Sequence, residues 1–157
     1  MKPASIVTLR KTLEISDRQT LQKLCLRLAR FKLENKELLT YLIYEAKNEL
    51  KYVQSIKSHL DMLFDEINTS SYFYIKKSIR KILRRIRKYA RYSNAEETEV
   101  ELILYFCLKL RDIRPSIFKN KTLKNLYNRQ IESIEKKILK LHPDLQYEYE
   151  IQMATLK

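Results

Sequence analysis

Nine basic residues and no acidic one fall between Tyr72 and Tyr92, in the segment YFYIKKSIRKILRRIRKYARY. They are Lys76, Lys77, Arg80, Lys81, Arg84, Arg85, Arg87, Lys88 and Arg91. Lysine and arginine at this density suit one kind of chemistry. They neutralise phosphate oxygens and release the counterions condensed around a polyanion. The whole chain has 32 basic against 19 acidic residues, a net charge of +13, so nine of the thirteen excess charges sit in this one segment. Ile75, Ile79, Ile82, Ile86 and Tyr89 recur there at intervals of four and three. The spacing predicts an amphipathic helix with the isoleucines turned inward and the cations outward. Lys77, Lys81, Arg84, Arg85 and Lys88 are the residues expected to meet a nucleic-acid backbone, with little sequence readout. Tyr74, Tyr89 and Tyr92 are rings that would stack bases where exposed. The same residues allow blander arrangements. Asp61, Asp65, Glu66, Glu96, Glu97, Glu99 and Glu101 could pair with the basic face and leave a salt-bridged helix. A basic amphipathic helix also suits an acidic protein surface or an anionic membrane surface.

Other chemistries find little material. The two histidines, His59 and His142, are far apart, and Asp61 lies only two positions after His59, on a different helix face. His142 precedes Pro143 at a helix end, where a cation would meet free carbonyls. There is no HExxH and no paired CxxC, and Glu96, Glu97, Glu99 and Glu101 do not have the spacing of a calcium loop. No metal, cofactor or catalytic residue is therefore expected, and the chain reads as a non-enzyme. It also contains no glycine at all. Phosphate loops and dinucleotide folds need glycine where backbone approaches phosphate or takes positive φ, and tight hairpin turns need it too, so a sheet-rich nucleotide-binding fold is excluded. Cys25 and Cys107 lie in apolar helical patterns and are expected to be small buried hydrophobes in a reducing compartment. Apolar runs reach only about seven residues, as at Leu102–Leu108, far short of a membrane span. With no leader-like apolar run at the start, a cytoplasmic location is the expectation.

The elements that would carry these residues are helices almost throughout. Residues 1–15 read as an arm or a short helix. Ser16 with Gln19 reads as a capping box opening a helix whose stripe is Leu21, Leu24, Leu28 and Phe31. From Asn35 to Ile67 the stripe keeps phase, except that Glu49 stands where an apolar residue belongs. A single helix of about 33 residues would be long for a globular chain, so a kink or turn near Asn48 is expected, on the ground that asparagine tolerates the left-handed conformation. Asn68–Ser71 should cap the basic helix. Ser93 to Glu96 reads as a second capping box, opening a helix to about Ile113. The last long helix should run from about Phe118 to Leu141, with Pro143 stopping it. In residues 144–157 the apolar residues fit either strand alternation or a helix. With no second strand to pair with, a short helix is expected, placing Leu145, Tyr149 and Met153 against the chain itself.

Leu24–Ala46 (LCLRLARFKLENKELLTYLIYEA), Ile67–Ser93 (INTSSYFYIKKSIRKILRRIRKYARYS), Thr98–Cys107 (TEVELILYFC) and the LHPDLQYEYE segment ending at Glu150 resemble a family of short bacterial hypothetical proteins. The resemblance implies a bacterial, cytoplasmic, all-helical protein and carries no particular activity. Thr8–Leu28 is faintly similar to a SAP-like DNA-binding helix–loop–helix, without the glycine usual in that loop. The expectation is thus an all-α chain, a single domain over residues 1–157. Five to seven amphipathic helices would form an irregular bundle or a short stack of hairpins. Its partner would be nucleic acid or an acidic protein surface. The alternative is a protein-interaction or scaffold module, for which 11 tyrosines and the apolar tail Leu145–Leu156 supply material.

Overall fold

The structure is a computed structural model that describes residues 1–156. These residues are all-helical, with no strand among them and eight α-helices, one more than the upper end of the expectation. The chain divides into two compact units, Met1–Tyr44 and Glu45–Lys157.

The first unit holds α1 (Ile6–Glu14), α2 (Arg18–Phe31) and α3 (Leu33–Thr40). Ser5 caps α1, its Oγ accepting from the Thr8 amide at 3.2 Å, so the N-terminal stretch is a short helix. The cap of α2 is Asp17 and not Ser16. Its carboxylate accepts from the Thr20 amide at 2.9 Å and from the Thr20 hydroxyl at 2.6 Å. A carboxylate suits the positive end of a helix better than a hydroxyl, and Ser16 instead donates back to the Thr12 carbonyl at 2.8 Å. Lys32 turns extended, at φ −147° and ψ 140°, and ends α2. Asn35 Nδ2 braces the joint by donating to the Leu28 carbonyl at 2.9 Å. This break and the short α1 raise the helix count. None of α1, α2 or α3 contains a buried residue. Leu24, Leu28 and Phe31 of the expected stripe are all exposed. Cys25 is exposed too, which corrects the expectation of a buried thiol. The chain passes onward through a π-helical turn, Tyr41–Glu45.

The second unit is a helical bundle of α4 (Glu49–Asp65), α5 (Tyr72–Ser93), α6 (Glu96–Asp112), α7 (Lys121–Ile138) and α8 (Pro143–Ala154). At its centre α6 packs on α4, α5 and α7, and α8 packs on α7. The sequence of α6 explains its place. Val100, Leu102, Ile103, Leu104, Phe106, Cys107 and Leu110 are all buried and spread over more than half of the helix circumference, wider than the single stripe of a surface helix, so α6 can face several neighbours at once. The basic segment forms α5, which buries Ile75, Ile79, Ile82, Leu83 and Ile86. Each such side chain taken from water stabilises by about 1.5–3 kcal/mol. That outweighs the few tenths lost per like-charge pair on the outer face.

The chain does break before α4, for a different reason than expected. Asn48 is not left-handed. It sits at φ −142° and ψ 79° and caps α4, its Oδ1 accepting from the Lys51 amide at 3.1 Å. Glu49, out of phase in the apolar stripe, accepts from the Thr98 hydroxyl at 2.6 Å and from the Ser93 hydroxyl. That use of Ser93 dissolves the expected capping box. The N-cap of α6 is Ala95, and Asn94 is the left-handed residue, at φ 56° and ψ 18°, closing α5. Farther on, a single 3-10 turn, Ile117–Lys119, precedes α7, whose cap is Asn120. Pro143 opens α8 rather than merely ending α7. His142 caps that helix, its Nδ1 accepting from the Asp144 amide at 3.4 Å. Tyr149, Met153 and Leu156 are buried and Leu145 is half-buried. The Tyr127 hydroxyl fixes the tail by donating to the Leu156 carbonyl at 2.8 Å.

Candidate nucleic-acid interface

Helix α5 is held at both ends by tyrosine hydroxyls. Tyr72, in its first turn, donates to the Ser116 carbonyl at 2.8 Å, and Tyr52 of α4 donates to the Tyr89 carbonyl at 3.0 Å. With its isoleucines seated on α6 and α4, its outer face is fixed. Residues step by about 100° around a helix, so the positions opposite Ile75, Ile79 and Ile86 are Lys77, Arg80, Arg84, Arg87 and Arg91. All five are exposed, as is Lys81 beside them. No acidic residue occupies the first turn of α5, and Arg91 lies in its last.

Three of the seven acids that sequence offered as neutralising partners are engaged elsewhere. Asp61 is held by Lys109 of α6 at 2.8 Å, Glu101 by Lys57 of α4 at 2.6 Å, and Glu99 by Lys137 of α7 at 2.6 Å. The Lys109 ammonium, with help from the Tyr105 hydroxyl, holds the Asp61 carboxyl below its ordinary value. Burial and the hydrogen bond to Asp61 push Tyr105 up to about 12. These pairs join α4, α6 and α7 to one another and leave α5 out. Among the described residues, Lys77, Arg80, Lys81, Arg84 and Arg91 have neither a carboxylate nor any other side-chain partner.

The five residues picked from sequence divide on this helix. Lys77, Lys81 and Arg84 are exposed and unpartnered. Arg85 is half-buried and turns sideways, its Nη1 at 3.1 Å from His59 Nε2. Arginine only donates, so His59 accepts there through Nε2. Lys88 is half-buried, with its ammonium 5.4 Å from the Tyr89 ring centre, and is engaged further. Arg80, Arg87 and Arg91 belong to the outer row but were not picked. Their spacing from Arg84, at four, three and seven residues, is the signal that finds them. Arg87 also reaches Gln130 Oε1 at 3.4 Å. Together with Arg91 it lines a cleft of about 420 Å³ that Glu96 and Glu99 share. The C-terminal end of the row is thus partly offset by acids, while Lys77 to Arg84 is not.

Of the three tyrosines expected to stack bases, only Tyr74 is well exposed. Tyr89 is half-buried and Tyr92 is buried. Phe73, which sequence reading passed over, is 67% exposed and lies edge-on to Tyr74, ring centres 5.4 Å apart. No group of three or more His, Cys, Asp or Glu side chains among the described residues could hold a metal ion. None of the described helices is long and apolar enough to cross a membrane. Compared with protein-family models, with curated proteins and with solved structures, the chain matches none.

Proposed function

We propose that the chain is a non-catalytic binding module whose ligand is nucleic-acid backbone, held by the outer face of α5. The reading rests on one observation. Lys77, Arg80, Lys81 and Arg84 stand exposed without counter-charges, while Asp61, Glu99 and Glu101 pair with lysines of other helices. A polyanion supplies the missing counter-charge and gains by releasing its own condensed ions. A cytoplasmic setting fits, since both cysteines are free. The test is charge reversal at Arg80→Glu with Arg84→Glu, with binding of a labelled oligonucleotide followed by anisotropy. Both residues are exposed, so the fold should survive, which circular dichroism checks. Affinity should fall by at least tenfold, and unchanged affinity refutes the reading.

A second reading, a protein-interaction module, is favoured by the first unit. Ile6, Val7, Phe31, Leu33 and Leu42 are all more than half exposed. A groove of about 560 Å³ lined by Leu26, Ala29, Leu33, Leu39 and Ile43, among others, lies within the same unit. Exposed apolar surface on this scale marks interaction sites. A pull-down with and without nuclease separates the two readings. Partners lost after nuclease favour nucleic acid, and partners retained favour protein.

A further inference from the structure

We infer that α5 selects single-stranded nucleic acid, a base stacking on Phe73 while the phosphates run along Lys77, Arg80, Lys81 and Arg84. This rests on the proposed backbone-binding reading and narrows its ligand. The outer row of α5 does not begin with a cation. Counting from Phe73, the row runs through Lys77, Arg80, Arg84, Arg87 and Arg91 at steps of four and three, the repeat that keeps residues on one helix face. Phe73 is therefore in line with the cations and not beside the isoleucines. It is two-thirds exposed, and Tyr74, 46% exposed, meets it in a T-shaped contact with ring centres 5.4 Å apart, so much of the aromatic surface at this end of the helix is open to a flat ligand.

A lone exposed phenylalanine needs no explanation. An exposed ring at the head of an unneutralised basic row is a different arrangement. It combines the two features by which proteins hold unpaired strands, a positive track for the backbone and an aromatic face for a base. A duplex keeps its bases stacked on one another and offers that ring nothing along its length. From Phe73 to Arg84 the row extends about 16 Å at 1.5 Å per residue, long enough for a base and a few consecutive phosphates of one strand. The acids Glu96 and Glu99 lie at the other end of the row, beside Arg87 and Arg91. Aromatic head and uncompensated charge thus fall in the same half of the helix.

The test uses the full chain and two fluorescein-labelled probes of about 16 nucleotides, an oligothymidylate and a blunt duplex. Oligothymidylate should bind more tightly than duplex at equal salt. Phe73→Ala should weaken oligothymidylate binding about tenfold and leave duplex binding unchanged. The chain contains no tryptophan, so Phe73→Trp places a single reporter at the site. It should retain affinity, and its emission should be quenched by oligothymidylate. Equal or tighter duplex binding overturns the inference, and so does indifference to Phe73→Ala or an unquenched tryptophan. If those results come with salt-sensitive binding that Arg80→Glu/Arg84→Glu abolishes, only the single-strand inference falls. If neither probe binds, or binding survives charge reversal, the backbone reading falls with it.

Discussion

At the scale of single residues, the two cysteines show how far environment governs chemistry. Cys107 is fully buried in α6, and burial pushes its thiol up to about 12, while Cys25 is exposed on α2. The thiolate is the reactive form. A thiol reagent at mildly alkaline pH should therefore label one cysteine per native chain and two in denaturant, with Cys25→Ser removing the native reaction. Two fast equivalents in the native protein would place Cys107 wrongly. The same burial carries a pH signature. An unfolded thiol ionises near its ordinary value of 9.0. The unfolded state therefore sheds a proton that the folded state keeps, and stability contributed by Cys107 declines as pH rises from about 9 to about 12. Sequence could not separate the two thiols, because both sit in apolar helical patterns. What differs is whether another helix covers that face.

At the scale of elements, helices were legible where a stripe and a stop signal coincide. The isoleucines of α5 set its phase, and that phase alone separates its outer face from its inner one. Less legible was which hydroxyl or carboxylate caps which end, because the choice depends on non-local partners. Ser93 looked like the cap of α6 but instead donates to Glu49, 44 residues away. The break before α4 was anticipated at Asn48, yet the left-handed asparagine is Asn94. An L-residue with a Cβ loses roughly 1–2 kcal/mol in that conformation, and asparagine and glycine tolerate it best. Asn94→Ala should lower stability by about 1 kcal/mol, while Asn94→Gly should change it much less. Urea denaturation checks both, and equal costs would argue against a left-handed Asn94. The candidate interface was half legible for a related reason. Lys77, Lys81 and Arg84 follow from helical phase, as Arg80, Arg87, Arg91 and Phe73 would have. The sideways turn of Arg85 to His59 and the engagement of the acids by Lys57, Lys109 and Lys137 depend on which helices become neighbours.

At the scale of the whole molecule, the second unit closes on itself through its tail. Tyr149, Met153 and Leu156 are buried, and Tyr127 donates to the Leu156 carbonyl. Removing residues 143–157 should destabilise the chain by several kcal/mol, since each large buried side chain lost costs about 2–5, and should leave its oligomeric state unchanged. A dimer that becomes a stable monomer on truncation would instead make the tail an exchanged element. The net charge of +13 bears on function more than on fold, because nine of its cations lie on one helix with few partners. The most direct measurement is the salt dependence of oligothymidylate affinity, by anisotropy, for the full chain. If Lys77, Arg80, Lys81 and Arg84 each neutralise one phosphate, log K should fall against log salt with a slope of roughly −2.8, about fiftyfold between roughly 50 and 200 mM. A slope shallower than about −1, or one that Arg80→Glu/Arg84→Glu leaves unaltered, would contradict a nucleic-acid backbone held by α5.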